Sequence, residues 1–213
     1  MSWQRSDAGK RRGYHHGNLK EALIEAALRL IRDKGPAGFT FAEAARAAGV
    51  SPAAPYRHFR DREDLMAEVA RRGFEDFAIG LTTAWDTGKP TPLEALKRLG
   101  AAYLDFARHN PAVYAAMFEA GLVVADYPEL RSAADHAFAV LREACDAVSA
   151  TFPAGRRPPG LMLALHIWSL SHGIASLFAR GDGSRRPLPM SPEELLEAGV
   201  LIYLEGLRST GTP

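Results

Sequence analysis

Residues 40–65 read TFAEAARAAGVSPAAPYRHFRDREDL, and this stretch decides the fold. Thr40 and Glu43 have the spacing of a capping box, in which two side chains satisfy free backbone N–H groups at a helix start. Gly49 suits the backbone where that helix ends and the chain turns. Ser51 is a good N-cap for a second helix, and the proline after it suits the first helical turn. Together these signals predict a helix-turn-helix.

Aromatic, histidine and arginine side chains follow this predicted turn. Tyr56 and His58 can hydrogen-bond phosphate oxygens, and arginine adds positive charge and a fork of donors. Phe59 interrupts the polar run, so we expect it to point inward as an anchor. The segment YRHF (56–59), followed by DREDL (61–65), resembles the DNA-binding signature of TetR-family transcriptional regulators. The alternative interpretation of the same residues is a solvated, charged helical hairpin.

The TetR resemblance implies which residues hold the DNA backbone. It places Tyr56, His58 and Arg62 on phosphate groups, together with Thr40 near the start of its own helix. The alternative for Arg62 is a surface ion pair with a neighbouring carboxylate. The same resemblance implies a palindromic double-stranded operator, a homodimer and a small-molecule effector.

Base recognition is predicted to rely on few side chains. Ala53 and Ala54 can offer methyl contacts to thymine, and Arg57 can reach guanine. Pro55 departs from the commoner family pattern and removes a backbone donor near the first turn. DNA shape and the basic N-terminal arm in a minor groove can supply further recognition. The exposed start of the second helix is predicted to be residues 51–55, and the residues of it that are predicted to face the DNA are Ser51, Pro52, Ala53 and Ala54.

Charge is distributed unevenly along the chain. The 213 residues carry a formal net charge of +1, but residues 1–72 hold 14 Lys and Arg against 9 Asp and Glu. The rest of the chain holds 12 against 16. This asymmetry supports a DNA-binding head (residues 18–65) after a basic, flexible arm (residues 1–17). The effector-binding and dimerisation body is then residues 66–213.

Hydrophobic periodicity is helical throughout, which predicts an all-α fold. The predicted architecture is an N-terminal three-helix DNA-binding domain with the helix-turn-helix, followed by a helical ligand-binding and dimerisation domain. A long helix from near Asp61 to about Trp85 connects head and body, and nine helices are predicted in all. Further helix starts are indicated by cap or proline signals at Asn18, Thr91, Asn110, Pro128 and Ser191.

The body is rich in aromatic residues, most of which we expect to form ordinary core. If the body also holds a cavity, some of them must line it, and that cavity should be mostly apolar because nothing suggests a charged cofactor. No cofactor is therefore predicted. The candidate lining residues are Tyr103, Phe106, Tyr114, Met117, Phe118 and Trp168. The segment containing Trp168, His172 and Gly173 also resembles the tryptophan-histidine-glycine segment of one C-terminal subgroup of TetR-like regulators.

Two helices near the C-terminus offer more apolar surface than one face needs, which predicts a dimer. Residues 161–179 contain no charged side chain, and residues 192–208 form the second apolar helix. Gly173, Gly199 and Gly206 would allow close contact between helices. The alternative for 161–179 is a membrane span, which its polar residues on several faces disfavour.

Several functional classes find no support in the sequence. It contains no nucleophile elbow, metal-binding helix or phosphate loop. His166 and His172 lie six residues apart without an acidic neighbour, so no metal site is predicted. Cys145 is the only cysteine, and the N-terminus has no apolar signal segment, so we expect a cytoplasmic protein. The prediction is a ligand-responsive repressor, not an enzyme; the alternatives are a helical ligand-binding or interaction protein without regulatory DNA binding, or an uncharacterised enzyme.

Overall fold

A computed structural model of the chain describes residues 19–179 and 189–209. Within these ranges the protein is all-α, as predicted, and the long connecting helix is confirmed as α3. The predicted arm, the capping box at Asn18 and most of the loop after residue 180 lie outside the described residues. The described residues form eight α-helices, which are α1 (Leu19–Lys34), α2 (Phe41–Ala47), α3 (Arg62–Trp85), α4 (Pro92–His109), α5 (Pro111–Phe118), α6 (Pro128–Ala150), α7 (Gly160–Ala179) and α8 (Pro192–Ser209).

The second helix of the predicted helix-turn-helix is a 3-10 turn at Ala54–Arg57, here called the recognition turn. The expectation of an α-helix capped by the Ser51 side chain is wrong, since the turn begins without a side-chain cap. Pro55 has no N–H to donate to the Ser51 carbonyl, where an α-helix would need that bond. The backbone instead forms tighter bonds, from Ala54 N to Ser51 O at 3.0 Å and from His58 N to Pro55 O at 2.9 Å.

The capping box that opens α2 is confirmed. Glu43 N donates to Thr40 Oγ1 at 3.2 Å, and Thr40 N donates to Glu43 Oε2 at 2.8 Å. The same reciprocal bonds join Ser191 and Glu194 at the start of α8, with distances of 2.7 and 3.1 Å. These helix starts follow from local sequence because the bonded groups are only three residues apart.

Two further cap predictions have different outcomes. Thr91 caps α4, accepting a hydrogen bond from Glu94 N at 3.3 Å. Asn110 does not cap α5 with its side chain. Its Nδ2 instead donates to the carbonyl of Phe106 in α4 at 3.2 Å, so it completes the preceding helix.

Head and body each have a hydrophobic core, and α5 contributes to both. Phe59 is 4% exposed and packs in the head core, which confirms it as the predicted anchor. Ala112 and Ala116 of α5 pack in that same head core. Tyr114 and Met117, on the other side of α5, pack in the body core with α3, α4, α6, α7 and α8. The head core also extends beyond residue 65 into α3, and the boundary between the domains stays a prediction.

One helix of the described part of the chain, α7, is long and apolar enough to cross a membrane by length and composition alone. In the fold it packs against α4, α6 and α8. Leu163, Ala164 and Ile167 on its inner side are buried. The helix is therefore part of the body core on one side, which a soluble helical domain requires of such a segment.

Candidate DNA interface and effector cavity

The recognition turn projects side chains from the head into solvent. Tyr56 is 64% exposed although it is aromatic, and its ring meets the ring of Phe41 edge-to-face at 5.1 Å between centroids. Pro55 is buried beneath it, so the turn is anchored from below. Of the nine predicted DNA-contacting residues, Ala54 and Arg62 are half-buried, and the exposed ones are Thr40, Ser51, Pro52, Ala53, Tyr56, Arg57 and His58.

The start of α2, beside the recognition turn, is held in place by an ionised carboxylate. Lys34 Nζ lies 2.7 Å from Glu43 Oε1, on the side of Glu43 away from Thr40. Hydrogen bonds from Lys34 and then from the Thr40 backbone and hydroxyl lower the pKa of Glu43 to about 2. Thr40 itself stays exposed at the first turn of α2, but its N–H and its hydroxyl both donate to Glu43, so its predicted contact with a phosphate stays a prediction.

Arg62 is directed into the head. Its Nη2 donates to the carbonyl of Pro36, and its guanidinium lies 4.8 Å from the centroid of the Phe39 ring. Its Nε is buried without a hydrogen-bond partner among the described residues. Arg62 thus fastens the start of α3 to the loop between α1 and α2, and its predicted contact with phosphate remains a prediction.

An ion-pair cluster fixes α1 against α3. Glu68 on α3 lies 2.9 Å from Lys20 Nζ, and Arg72 reaches across to Glu21 on α1 at 2.6 and 2.7 Å. Burial alone would raise the pKa of Glu68, but hydrogen bonds from Arg71, Lys20 and Arg72 outweigh it and lower that pKa to about 2. These ion pairs therefore join α1 of the head to the first half of α3.

The body holds a cavity of about 450 Å³ enclosed by α3, α4, the end of α5, α6 and α7. Four of the six candidate residues lie on its wall, and two do not. Phe106 packs against Phe77 with ring centroids 4.9 Å apart, and Tyr114 is buried and hydrogen-bonded to His172. The lining residues are Phe74, Phe77, Leu81, Leu99, Tyr103, Met117, Phe118, Leu122, Val124, Ala134, Asp135, Ala137, Phe138, Leu141, Leu165 and Trp168.

A buried polar network joins three helices beside this cavity. Tyr114 Oη on α5 lies 2.7 Å from His172 Nδ1 on α7 and 3.1 Å from Tyr103 Oη on α4. Burial lowers the pKa of His172 and raises the pKa of Tyr114, and burial also raises the pKa of Tyr103 to about 12. All three groups are therefore neutral near pH 7. Sequence reasoning missed this network; the one available signal was that Trp168 and His172, four residues apart, share a face of α7.

A row of exposed residues at every fourth position follows the outer side of α7. It consists of Leu161, Leu165, Ser169, Gly173 and Leu177. On α8, Ile202 is 71% exposed and Gly206 has no neighbour within 4 Å of an added Cβ. Gly199 is different, because its Cβ would lie 2.8 Å from Leu170 of the same chain. Gly199 therefore permits the packing of α8 on α7 within the subunit, and its predicted contact with a second subunit stays a prediction.

The small helical head with its projecting recognition turn, joined to a helical body with an apolar cavity, defines a helix-turn-helix DNA-binding protein with a separate ligand-binding domain. Family comparison agrees with this class. Residues 23–69 match the family described as bacterial regulatory proteins, tetR family. Residues 96–203, half of the chain, match the tetracyclin repressor-like C-terminal domain. The chain belongs to the TetR family of transcription regulators.

Individual relatives are similar over parts of the chain. The transcriptional regulator BetI of Rhizobium meliloti is 33% identical over 102 residues, which are 46% of this chain and 50% of that protein. AcrR of Shigella flexneri is 38% identical over 50 residues, covering 24% of this chain and 23% of that protein. The chain thus spans half or less of the length of the curated relatives it matches.

Solved structures share the whole fold. A protein of unknown function from Rhodococcus sp. RHA1 superposes with a TM-score of 0.73 at 26% identity, covering 92% of this chain and 98% of that one. The TetR-family regulator PfmR of Thermus thermophilus superposes with a TM-score of 0.66 at 22% identity, covering 86% and 97%. At 22% identity, the similarity to PfmR shows a shared fold alone.

Proposed function

We propose that this protein is a homodimeric repressor that binds a palindromic operator and is released from it by a small, mostly apolar effector. The observation that supports this most strongly is the position of α5. One side of this eight-residue helix packs in the head core, and its end lies on the wall of the cavity. Through α5, a ligand bound in the body would therefore act directly on the DNA-binding head.

DNA binding is assigned to the exposed surface around the recognition turn. Tyr56 and His58 project from it and would donate hydrogen bonds to phosphates, while Arg57 would reach a guanine edge. Thr40 at the start of α2 would hold a phosphate from the neighbouring side. Because Ala53 and Ala54 can offer bases only their methyl groups, sequence preference would come largely from thymine contacts and DNA shape.

The dimer is assigned to the outer sides of α7 and α8. Exposed leucines on α7 and Ile202 on α8 form an apolar surface that a soluble monomer rarely leaves in water. Gly173 and Gly206 leave room at that surface for the close approach of a second helix. A two-fold axis there would present two recognition turns to the two halves of a palindrome.

The release mechanism follows from two helices that meet both the cavity and the head. Phe74 and Phe77 of α3 line the cavity, as do Met117 and Phe118 at the end of α5. A ligand that displaces these side chains shifts α3 and α5, and the ion pairs between α3 and α1 transmit the shift. Such a ligand lowers DNA affinity only if it binds better to the conformation whose heads do not fit the operator. A coupling of roughly 1–3 kcal/mol would give clear derepression.

This function places the protein in the bacterial cytoplasm with its operator, and it requires no catalysis. The alternative, a ligand-binding or interaction protein without regulatory DNA binding, differs in one measurable property. A regulator must prefer its operator over unrelated DNA of equal length, with an affinity that falls steeply as salt rises.

The test is fluorescence anisotropy with labelled DNA from the region flanking the protein's own gene, at several salt concentrations and against unlabelled competitor. The variant Tyr56→Phe removes only the hydroxyl and keeps the ring contact with Phe41. Tyr127→Phe, a half-buried tyrosine at the start of α6, is the matched control. We expect preference for the flanking DNA, and in Tyr56→Phe alone a roughly three- to tenfold weaker binding to flanking and competitor DNA alike. Equal affinity for flanking and competitor DNA would refute the proposed function.

A further inference from the structure

The cavity wall is almost entirely apolar and rich in aromatic rings. Fourteen of its sixteen residues are apolar, and the two others are Tyr103 and Asp135. Six of the sixteen carry aromatic rings. No lysine, arginine or histidine of the described residues lies on the wall. An anion that entered this space would find no counter-charge, and burying an unpaired anion is strongly unfavourable.

Among the described residues that line the wall, Asp135 alone carries a formal charge, and it lies at the mouth. Its side chain is 73% exposed, whereas Phe77 and Leu141 deeper in the cavity are almost wholly buried. Its ion-pair partner Arg131 is also exposed, with 3.7 Å between Nε and Oδ2. Such a long surface pair is weak, so the carboxylate remains available to a ligand.

The aromatic rings of the wall, like the Asp135 carboxylate, favour a positively charged ligand. The faces of phenylalanine, tyrosine and tryptophan rings carry negative electrostatic potential and attract cations. Phe138 and Trp168 stand close to perpendicular, at 65° with centroids 5.9 Å apart, so rings in different orientations surround the space. His172, the histidine nearest these rings, has its Nδ1 bonded to Tyr114 and lies outside the wall.

We propose that the effector cavity selects a lipophilic cation over an anion of the same shape, with Asp135 at the mouth as the counter-charge. The ligand class is a molecule of mostly aromatic or aliphatic surface that carries one diffuse positive charge, such as a phosphonium or an alkylated or protonated amine. This inference rests on the proposed function, since it names the ligand class of the same cavity. It assigns to Asp135 a specificity role that the fold alone does not imply.

The test uses two probes of nearly identical shape and opposite charge, tetraphenylphosphonium and tetraphenylborate, titrated into the full-length protein by calorimetry in sodium buffers. The variants are Asp135→Asn and, as the matched control, Asp146→Asn. Asp146 lies on the same helix, forms the equivalent exposed pair with Arg142 at 3.9 Å, and does not line the cavity. Thermal unfolding confirms that each variant is folded before it is titrated.

We expect the cation to bind at least about tenfold more tightly than the anion, a difference within the range of cation–π attraction. Asp135→Asn should weaken cation binding by about two- to fivefold, as fits an exposed carboxylate, and Asp146→Asn should leave it unchanged. Equal or tighter binding of the anion would overturn the inference while leaving an apolar effector cavity in place. An unchanged cation affinity in Asp135→Asn would overturn the role of that residue. Failure of both probes to bind would count against the cavity itself, and operator binding would still stand on its own test.

Discussion

The Sδ atom of Met117 on α5 lies 2.8 Å from the position that a Cβ on Gly73 of α3 would occupy. Val113, one turn earlier on α5, is closer still, with its Cγ1 2.5 Å from that position. The two helices that connect cavity and head therefore meet at a point without spare room. Only glycine lets the two helices approach so closely. Met117, which makes this contact, also lines the wall of the cavity.

Replacing Gly73 by alanine should separate α3 from α5. We expect Gly73→Ala to lower the free energy of unfolding by roughly 1–3 kcal/mol, as overpacking does, and to weaken operator binding because α5 also packs in the head core. The control is Gly80→Ala on the same helix, where an added Cβ meets nothing within 4 Å. That variant should gain about 0.5–1 kcal/mol from helix propensity and bind DNA normally. Urea titration and anisotropy measure the two effects, and a Gly73→Ala protein with normal stability would contradict the account.

The half-buried His172 should make the protein sensitive to mild acid. Burial lowers the pKa of His172 below its ordinary value of 6.5. As the pH falls, this histidine therefore binds a proton in the unfolded chain before it does so in the folded chain. Stability is therefore complete above that value and falls as the pH drops below it. In His172→Gln the urea midpoint should change less between pH 7.5 and 5 than it does in the unchanged protein. His136→Gln, at an exposed position, should not reduce that change.

Between pH 7.5 and 5 the Glu68 carboxylate of the ion-pair cluster does not contribute to the change in stability. The pKa of Glu68 is about 2, against an ordinary value of 4.5, so the stability that it supplies is lost only as the pH falls below 4.5. An equally steep loss between pH 7.5 and 5 in His172→Gln would assign the effect to other groups.

Arg62 has a structural contact and a predicted phosphate contact, and one variant separates them. Arg62→Ala should lower the free energy of unfolding by about 1–2 kcal/mol, since the Pro36 carbonyl and the Phe39 ring lose their partner. If it also holds a phosphate, as we expect, binding weakens alike for all DNA sequences and the salt dependence flattens by about one unit of slope. Arg60→Ala, an exposed arginine paired with Asp64, is the control. Changed sequence preference at an unchanged slope would exclude a phosphate contact.

The two glycines of α8 should respond differently to substitution. Gly206 faces open space one turn from the exposed Ile202, so Gly206→Glu should leave the subunit folded and disrupt the dimer. An added Cβ on Gly199 meets the end of the Leu170 side chain within the subunit, so Gly199→Ala should shift that side chain and leave the dimer in place. Sedimentation velocity combined with thermal unfolding separates these outcomes. A dimer that persists in Gly206→Glu would move the interface to another face.

Local sequence determined several helix starts, but it determined neither the role of Asn110 nor the shape of the recognition turn. The pairs Thr40/Glu43 and Ser191/Glu194 were predictable because each bond joins groups three residues apart. The sequence shows that Pro55 removes a backbone donor, yet the consequence, a 3-10 turn in place of an α-helix, depends on which carbonyls the remaining N–H groups reach.

Contacts between distant segments could not be derived from the sequence. Tyr103, Tyr114 and His172 meet from three helices, with His172 separated from the tyrosines by 69 and 58 residues. For the same reason the sequence could not tell that Gly199 packs inside the subunit and Gly206 does not. It also placed Tyr114 among candidate cavity residues, whereas its hydroxyl is bonded to His172.

The central claim is that two copies of this chain hold one palindromic operator through their recognition turns. Its most direct test is hydroxyl-radical footprinting on DNA flanking the protein's own gene, with the mass of the complex measured by sedimentation. The account predicts protection of two symmetry-related half-sites, about one helical turn or a multiple of it apart, by two or an even number of subunits. Uniform protection without half-sites, or one subunit bound to a single site, would contradict it.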